Sequence, residues 1–488
     1  MIETHVKIHD KFSFEFKISF ISDEAVTDDN EEFSVNVWLF IPNGLEINPD
    51  TYSKEDFYKD VSSNIRFITP NFSLSGIIAD HNAQSPKNML LSSMQKAMEK
   101  PEATKQSDRF VHDLKMFADI CKSAIRDEVD RILSADNKNL EKECSRFTKE
   151  IEAIMSFYRN LHHKLSLKHF PNEWREYYLY GENFISNVIE QHLFRLISHI
   201  ENQKNATEIR STLLTLLRYE ERERKKKKFP NLETDNPENN RLVVMQWGIL
   251  KKIVESILHL HIESSRDGRL AEQLLYSFAA GVSMLFATVV TFTAQKHYAQ
   301  FTLPLFLIIV VSYMFKDRIK ELMRYYFNSQ LGKKYFDRKR KLSTSDIEIG
   351  VIKESADYVS ESKLPEKVTA LRKRVPIVAA ENKIYNEQII LYKKLLTLSV
   401  RKIASIKRYK YQGINDITRF HLFHLTEKMS DSSLQLYLPD KHEGYTCFDG
   451  EKIYPLHFIV RGESNRQVFY RKYRILFNRN GIEQLEEM

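Results

Sequence analysis

QLLYSFAAGVSMLFATVVTFTAQKHYAQFTLPLFLIIVVSYMF, residues Gln273 to Phe315, holds a single formally charged side chain, Lys296, in a chain whose residues are 28% charged. Paired helices of a soluble protein each keep a polar stripe, and neither half of this stretch has one. The stretch is therefore expected to be a two-helix transmembrane hairpin. Its first half, Leu274 to Ala294, would be about 31 Å long as a helix, matching a hydrocarbon core of about 30 Å. The nine Leu, Ile, Phe and Val residues of that half favour insertion by roughly 3 to 5 kcal/mol before polar penalties. Its second half, Phe301 to Phe315, would be only about 22 Å long, so it crosses only if the helix starts in the loop or runs past Lys316 with that lysine snorkelling. Pro304 suits a helix start near Phe301, where a missing backbone donor costs little.

Charges beside the hairpin orient it. Lys316, Arg318, Lys320, Arg324, Lys333 and Lys334 follow it, Arg266 and Arg269 precede it, and the turn holds only Lys296. The excess of basic residues outside the turn predicts cytoplasmic termini, with the six that follow as candidate contacts to anionic lipid. Ile319, Leu322, Met323 and Tyr326 continue an apolar stripe past the membrane, and Arg338 to Lys341 adds a basic cluster, consistent with an interfacial helix or a rigid stalk. Ala279, Ser283 and Ala287 recur every four residues and form a small face on which a helix could pack. That face would seat the second span or a second copy of the chain.

The remainder is soluble in character. With 488 residues and 57.7 kDa the chain has room for several domains. The net charge of +7 suits anionic partners such as phospholipid headgroups or nucleic acid, but 73 basic residues are largely offset by 66 acidic ones, so the total decides little; membrane lipids are the expected partner and nucleic acid is not. Cys121, Cys144 and Cys447 are three, widely spaced and without a CxxC pair, so neither a disulfide framework nor a cysteine zinc site is expected. The polar start, Met1 to Lys7, lacks the apolar core of a signal peptide, so targeting would rest on the hairpin.

Alternation of Phe12, Phe14, Phe16, Ile18 and Phe20 with polar residues predicts a strand, and Phe33 to Ile41 predicts another, the two pairing across an acidic loop that includes Asp28 and Asp29. Ser53 with Asp56 three positions on predicts a capped helix to Asn64, followed by a short strand from Ile65 to Ile68. Spacings of three and four (Ile151, Ile154, Tyr158, Leu161; Val243, Trp247, Leu250, Val254) predict a helical bundle. Lys225 to Lys228 suits a solvated helix end better than a nucleic-acid patch. Helices are expected at Ile347 to Tyr358 and Ile414 to Met429, and strands at Ile453 to Val460 and Val468 to Phe477. The chain thus divides into an N-terminal α+β domain (1–79), a linker (80–108), a helical region (109–268), the hairpin with its interfacial extension (269–331), a connector (332–373) and a C-terminal α+β domain (374–488).

Candidate chemistry is sparse. His421 and His424 lie three apart, and His442, Cys447 and His457 could join them, but no metal-ligand spacing links them. His162 and His163 suit packing or the surface, and Asp416 with Arg419 suits a helix-face ion pair. With no Gly-rich phosphate loop, nucleophile elbow or carboxylate pair, the sequence points away from an enzyme and calls for no cofactor and no metal.

Two stretches, Asp56, Phe57, Tyr58 through Arg66, Thr69 and Pro70, and Ile414, Asn415, Asp416 through Arg419 with Asn480, Gly481 and Ile482, resemble a group of uncharacterised bacterial membrane proteins with a central transmembrane hairpin. The resemblance implies a bacterial inner-membrane setting and brings no activity with it. The expectation is an anchored cytoplasmic scaffold or sensor, or alternatively a membrane-perturbing effector whose hairpin forms a homo-oligomer on a cytoplasmic trigger.

Overall fold

Phe14, Phe16, Ile18 and Phe20 all turn inward from one face of a strand and are buried in the core. The computed structural model describes residues 1–21, 30–99, 104–134, 140–165, 171–298, 302–344, 347–384, 387–406, 408–440, 444–464 and 467–488 except 201–205. It is a mixed α+β chain in two compact units, one of Met1–Ile65, Leu260–Ser405 and Gly413–Met488, the other of Arg66–His259 and Ile406–Gln412.

The strands are β1 (Ile2–Asp10), β2 (Ser13–Ile21), β3 (Asn30–Ile41), β4 (Val61–Phe67), β5 (His261–Ser265), β6 (Arg338–Thr344), β7 (Ile347–Tyr358), β8 (Gln388–Ser399), β9 (Gly413–His421), β10 (Ser433–Asp440), β11 (Gly444–Glu451), β12 (Tyr454–Ser464), β13 (Gln467–Asn478) and β14 (Gly481–Glu487), all in the first unit except the last two residues of β4. One sheet has the order β1-β2-β9-β4, a second β14-β13-β12-β3-β8-β7-β6-β5, and β10 and β11 form a separate ribbon. The Phe14 ring of β2 stacks on Phe420 of β9 at 4.9 Å and on Phe458 of β12 at 5.4 Å, so the sheets meet face to face on aromatic side chains.

The first helix, α1 (Lys54–Asp60), starts at the expected capping box: Ser53 Oγ accepts from the Asp56 amide while the Asp56 carboxylate accepts from the Ser53 amide. In the second unit are α2 (Leu74–Ile77), α3 (Pro86–Glu99), α4 (Thr104–Ser134), α5 (Leu140–Leu165), α6 (Asn172–Ile200), α7 (Ala206–Lys226) and α8 (Pro237–Glu255). Tyr158 of α5 stacks on Tyr178 of α6 at 5.0 Å, and its hydroxyl occupies the space a side chain at Gly181 would need. The first unit adds α9 (Arg269–His297), α10 (Leu303–Lys334), α11 (Glu366–Arg372), α12 (Pro376–Ile384), α13 (Val400–Ala404) and α14 (Phe423–Thr426).

Several expectations are corrected. Residues 80–108 are not a linker, since they carry α3 and the start of α4. The N-terminal 1–79 and C-terminal 374–488 segments are not separate domains, because β2 pairs with β9 and β3 pairs with both β8 and β12. For the same reason β2 and β3 do not form a hairpin. The connector and its expected helix at 347–358 are strands β6 and β7, and the expected helix at 414–429 is β9 followed by the single turn α14. Charge at inward positions hides the alternation in both strands: Glu354 lies between Ile352 and Ala356, and Asp416 between Ile414 and Thr418, all buried. The expected acidic loop with Asp28 and Asp29, the ligand candidate His442 and the expected span start Phe301 lie outside the described residues.

Candidate membrane interface

Strands β5 and β6 are antiparallel neighbours, with Ser265 opposite Lys339, and α9 and α10 lie in the excursion between them. The chain therefore leaves the sheet and returns to it at one place. Gly268 caps α9 in the left-handed region at φ 72°, and a Cβ there would lie 2.6 Å from the Tyr335 ring. Asp267 accepts from the Phe336 amide at 3.4 Å and pairs with Lys353 at 3.5 Å, which ties both ends of the excursion to β7. Phe278 meets Phe327 at 6.4 Å and Arg324 lies 5.3 Å over Tyr276, so the helices run side by side.

Among the described residues α9 is the one helix long and apolar enough to cross a membrane, and little of its apolar window is buried. Leu274, Leu285 and Phe292 are each about two-thirds exposed, a pattern suited to lipid and costly in water. The second span expected near 301–315 does not pass the same test. The apolar part of α10 ends at Phe315, giving about 20 Å of helix from Leu303, and Lys316, Asp317 and Arg318 follow at once. The helix itself continues to Lys334.

Ala279, Ser283 and Ala287 are buried, with Ala294, on the face of α9 that α10 covers, while Gly281 beside them is exposed and has nothing within 4 Å of a built Cβ. Lys316 lies over the Tyr313 ring at 4.0 Å, Arg318 pairs with Glu321 at 3.2 Å, Lys320 is half-buried, and Lys333 and Lys334 fall in the last turn of α10. The basic cluster after α10 is engaged elsewhere: Arg338 lies 3.9 Å over the Tyr58 ring, and Arg340 pairs with the buried Glu354 at 3.2 Å.

A collar that sequence reasoning missed surrounds the foot of the hairpin. Asp337, one residue before β6, accepts from Tyr58 Oη at 3.0 Å and from the Ala356 amide at 3.0 Å, and pairs with Lys54 at 3.4 Å. Burial and the adjacent Asp337 push the Tyr58 phenol well above its ordinary pKa. At the other end of α1, Asp60 accepts from Tyr52 Oη at 2.7 Å and lies 2.6 Å from His424 Nδ1 of α14. His421 Nδ1 lies 2.8 Å from Ser13 Oγ. His421 and Asp60 line a cavity of about 30 Å³ whose other walls include Phe14, Leu39, Phe57, Ile390 and Phe420, room for about one water.

His457 does not join them. Its neighbour Phe458 faces β2, so His457 projects from the other face of the sheet, where burial and then Arg372, Lys472 and Arg474 lower its pKa to about 3. No group of three or more His, Cys, Asp or Glu side chains among the described residues is arranged to hold a metal ion. Asp416 and Arg419 do not form the expected helix pair: Arg419 reaches Glu15 at 3.3 Å, and Asp416 lies in the core.

That core holds a closed set of charges. Lys394 Nζ donates to Asp416 and to Thr418 Oγ1 (2.6 Å) and lies 3.5 Å from Glu354, which also accepts from Tyr392 Oη at 3.0 Å. With Arg340, two cations face two carboxylates in the space between the sheets. In the second unit, Arg159 bridges Glu182 (3.1 Å) and Glu220 (2.7 Å), and Lys227 also reaches Glu182, so part of the Lys225–Lys228 run is turned into the bundle. These arrangements pair buried carboxylates with cations, while Glu354 Oε2 and Glu220 Oε1 accept no hydrogen bond.

No family model, curated protein or solved structure matches this chain.

Proposed function

We propose that the chain is a membrane-anchored scaffold or sensor of a bacterial inner membrane, with helices α9 and α10 crossing as a pair and both termini in the cytoplasm. The observation that carries this reading is the β5–β6 pairing at the foot of the helices. An excursion that leaves and rejoins one sheet at adjacent strands requires an even number of crossings, so the folded mass stays on one side. The excess of basic residues outside the turn selects the cytoplasmic side. The 32 residues of α10 provide about 48 Å of helix, so its crossing is limited by charge and not by length. Lys316, Arg318 and Lys320 extend along the helix toward headgroups in this arrangement.

Cysteine labelling in intact cells tests the topology. With Cys447→Ser as background, Lys296→Cys is expected to react with a membrane-impermeant maleimide from outside, and a cysteine at Asp235 only after lysis. Protection of residue 296 on both sides would reduce the hairpin to a structure that dips into one leaflet, and labelling of residue 235 from outside would overturn the cytoplasmic assignment.

The alternative, an effector that assembles through Ala279, Ser283 and Ala287, meets a physical obstacle. Those residues are already covered by α10 within one chain, so assembly through them requires α10 to leave.

A further inference from the structure

We propose that the β10–β11 ribbon is a second membrane contact, seating a leucine face at the boundary between headgroups and acyl chains beside the hairpin. The inference rests on the reading that α9 and α10 enter a membrane. Leu434, Leu436 and Leu438 alternate along β10, and the register sets Leu436 opposite Phe448 and Leu438 opposite Thr446, so the three leucines and Phe448 share one face. All four are at least half exposed. The other face carries Tyr437 and Tyr445, whose rings meet edge to face at 5.6 Å. A two-stranded ribbon cannot bury such a face against itself and is marginal alone in water.

Position selects a lipid surface as the occupant. The Lys54 and Tyr58 side chains of α1 hold the foot of the hairpin through Asp337, and Asp60 at the end of α1 holds His424 of α14, seven residues before the end of the ribbon's approach at Asp431. The ribbon's base is held beside β12 and β13, where the Lys452 amide donates to the Ser432 carbonyl at 2.8 Å and Asn480 Nδ2 donates to Ser432 Oγ at 3.1 Å. The strand registers put it at the same end of the eight-stranded sheet as the hairpin's foot, four strands away, or about 19 Å. The eight residues of β10 extend about 26 Å, whereas the exposed apolar surface of α9 begins at Leu270 and Leu274, within about 9 Å of the helix start. The ribbon is therefore long enough to reach the level at which α9 becomes apolar. Neither strand contains Lys or Arg, and their charged residues, Asp440, Asp449 and Glu451, are acidic, while Tyr437 and Tyr445 suit the interface. The attraction is apolar and gains nothing from anionic lipid.

The test uses full-length protein with Cys447→Ser, labelled with an environment-sensitive fluorophore at Leu436→Cys or, separately, at Leu285→Cys on α9, in nanodiscs of phosphatidylcholine with or without phosphatidylglycerol. The expected result is a blue-shifted emission at 436 in both lipids, quenched more by spin labels high on the acyl chain than by deep ones, with residue 285 quenched by deep labels. A water-like, unquenched 436 beside a quenched 285 overturns the ribbon contact and leaves the anchor standing. An unquenched 285 overturns the anchor and the ribbon contact with it. A blue shift at 436 that is unquenched and grows with protein concentration identifies a second copy as the occupant and also overturns the proposal.

Discussion

Lys394 shows what single residues decide in the first unit. It is 3% exposed and lies between Asp416 and Glu354. Removing one partner of such a set strands a buried charge and costs about 3–5 kcal/mol, whereas replacing a complementary pair by neutral groups costs much less. Lys394→Met is expected to lower the unfolding free energy measured in denaturant by that amount, and Lys394→Met with Asp416→Asn to recover a large part of it; equal losses in both variants would mean that the charges are not coupled. His457 carries a pH dependence. Its folded pKa, lowered to about 3 by burial and by Arg372, Lys472 and Arg474, lies below the ordinary value of 6.5. The unfolded chain therefore binds the extra proton first, and the stabilisation is full above about pH 6.5 and lost as pH falls toward 3. His457→Gln should flatten the acid side of the stability profile between those values in detergent-solubilised protein, and an unchanged slope would remove His457 from the account.

At the scale of elements, the hairpin depends on how its two ends and its two helices meet. Gly268→Ala places a side chain in the left-handed region and against the Tyr335 ring, a cost of about 1–2 kcal/mol before any clash. Adding Tyr335→Ala should remove the clash and return part of that loss in thermal unfolding. If the double variant is no better than the single one, the ring contact is immaterial. Ser283→Ile pushes a branched side chain into the buried face between α9 and α10. The expected outcome is weaker cross-linking between cysteines at Gln295 and Phe306 with membrane insertion intact. Loss of a homo-oligomer with α9–α10 cross-linking unchanged would favour the assembly alternative.

For the whole molecule, the β5–β6 pairing makes the membrane part separable. Joining Gly268 to Tyr335 through two glycines, with residues 269–334 removed, should leave a soluble protein with unchanged β content by circular dichroism. The two residues already touch, so the new turn closes with little distortion. A protein that stays in the membrane pellet, or loses its β signal, would show that the hairpin is integral to the fold.

Much of the local structure was legible in residue pattern. The phenylalanine alternation of β2, the capping box of α1, the helical spacings of α5 and α8, strands β12 and β13, and the apolar length of α9 follow from side-chain period and local hydrogen bonding. Partnership was not legible. Strands from opposite ends of the chain share both sheets because antiparallel pairing depends on complementary faces and not on sequence distance, and Glu354 and Asp416 broke the very alternation that marks β7 and β9. The ribbon was missed for a related reason, since its exposed leucines and tyrosines lack the polar alternation of a half-buried strand. The sequence by itself determined that this chain carries a membrane-compatible segment, because uncharged length is a local property. Only the tertiary structure decided that the segment leaves and rejoins a single sheet, because adjacency of β5 and β6 is a long-range contact that no window of residues encodes.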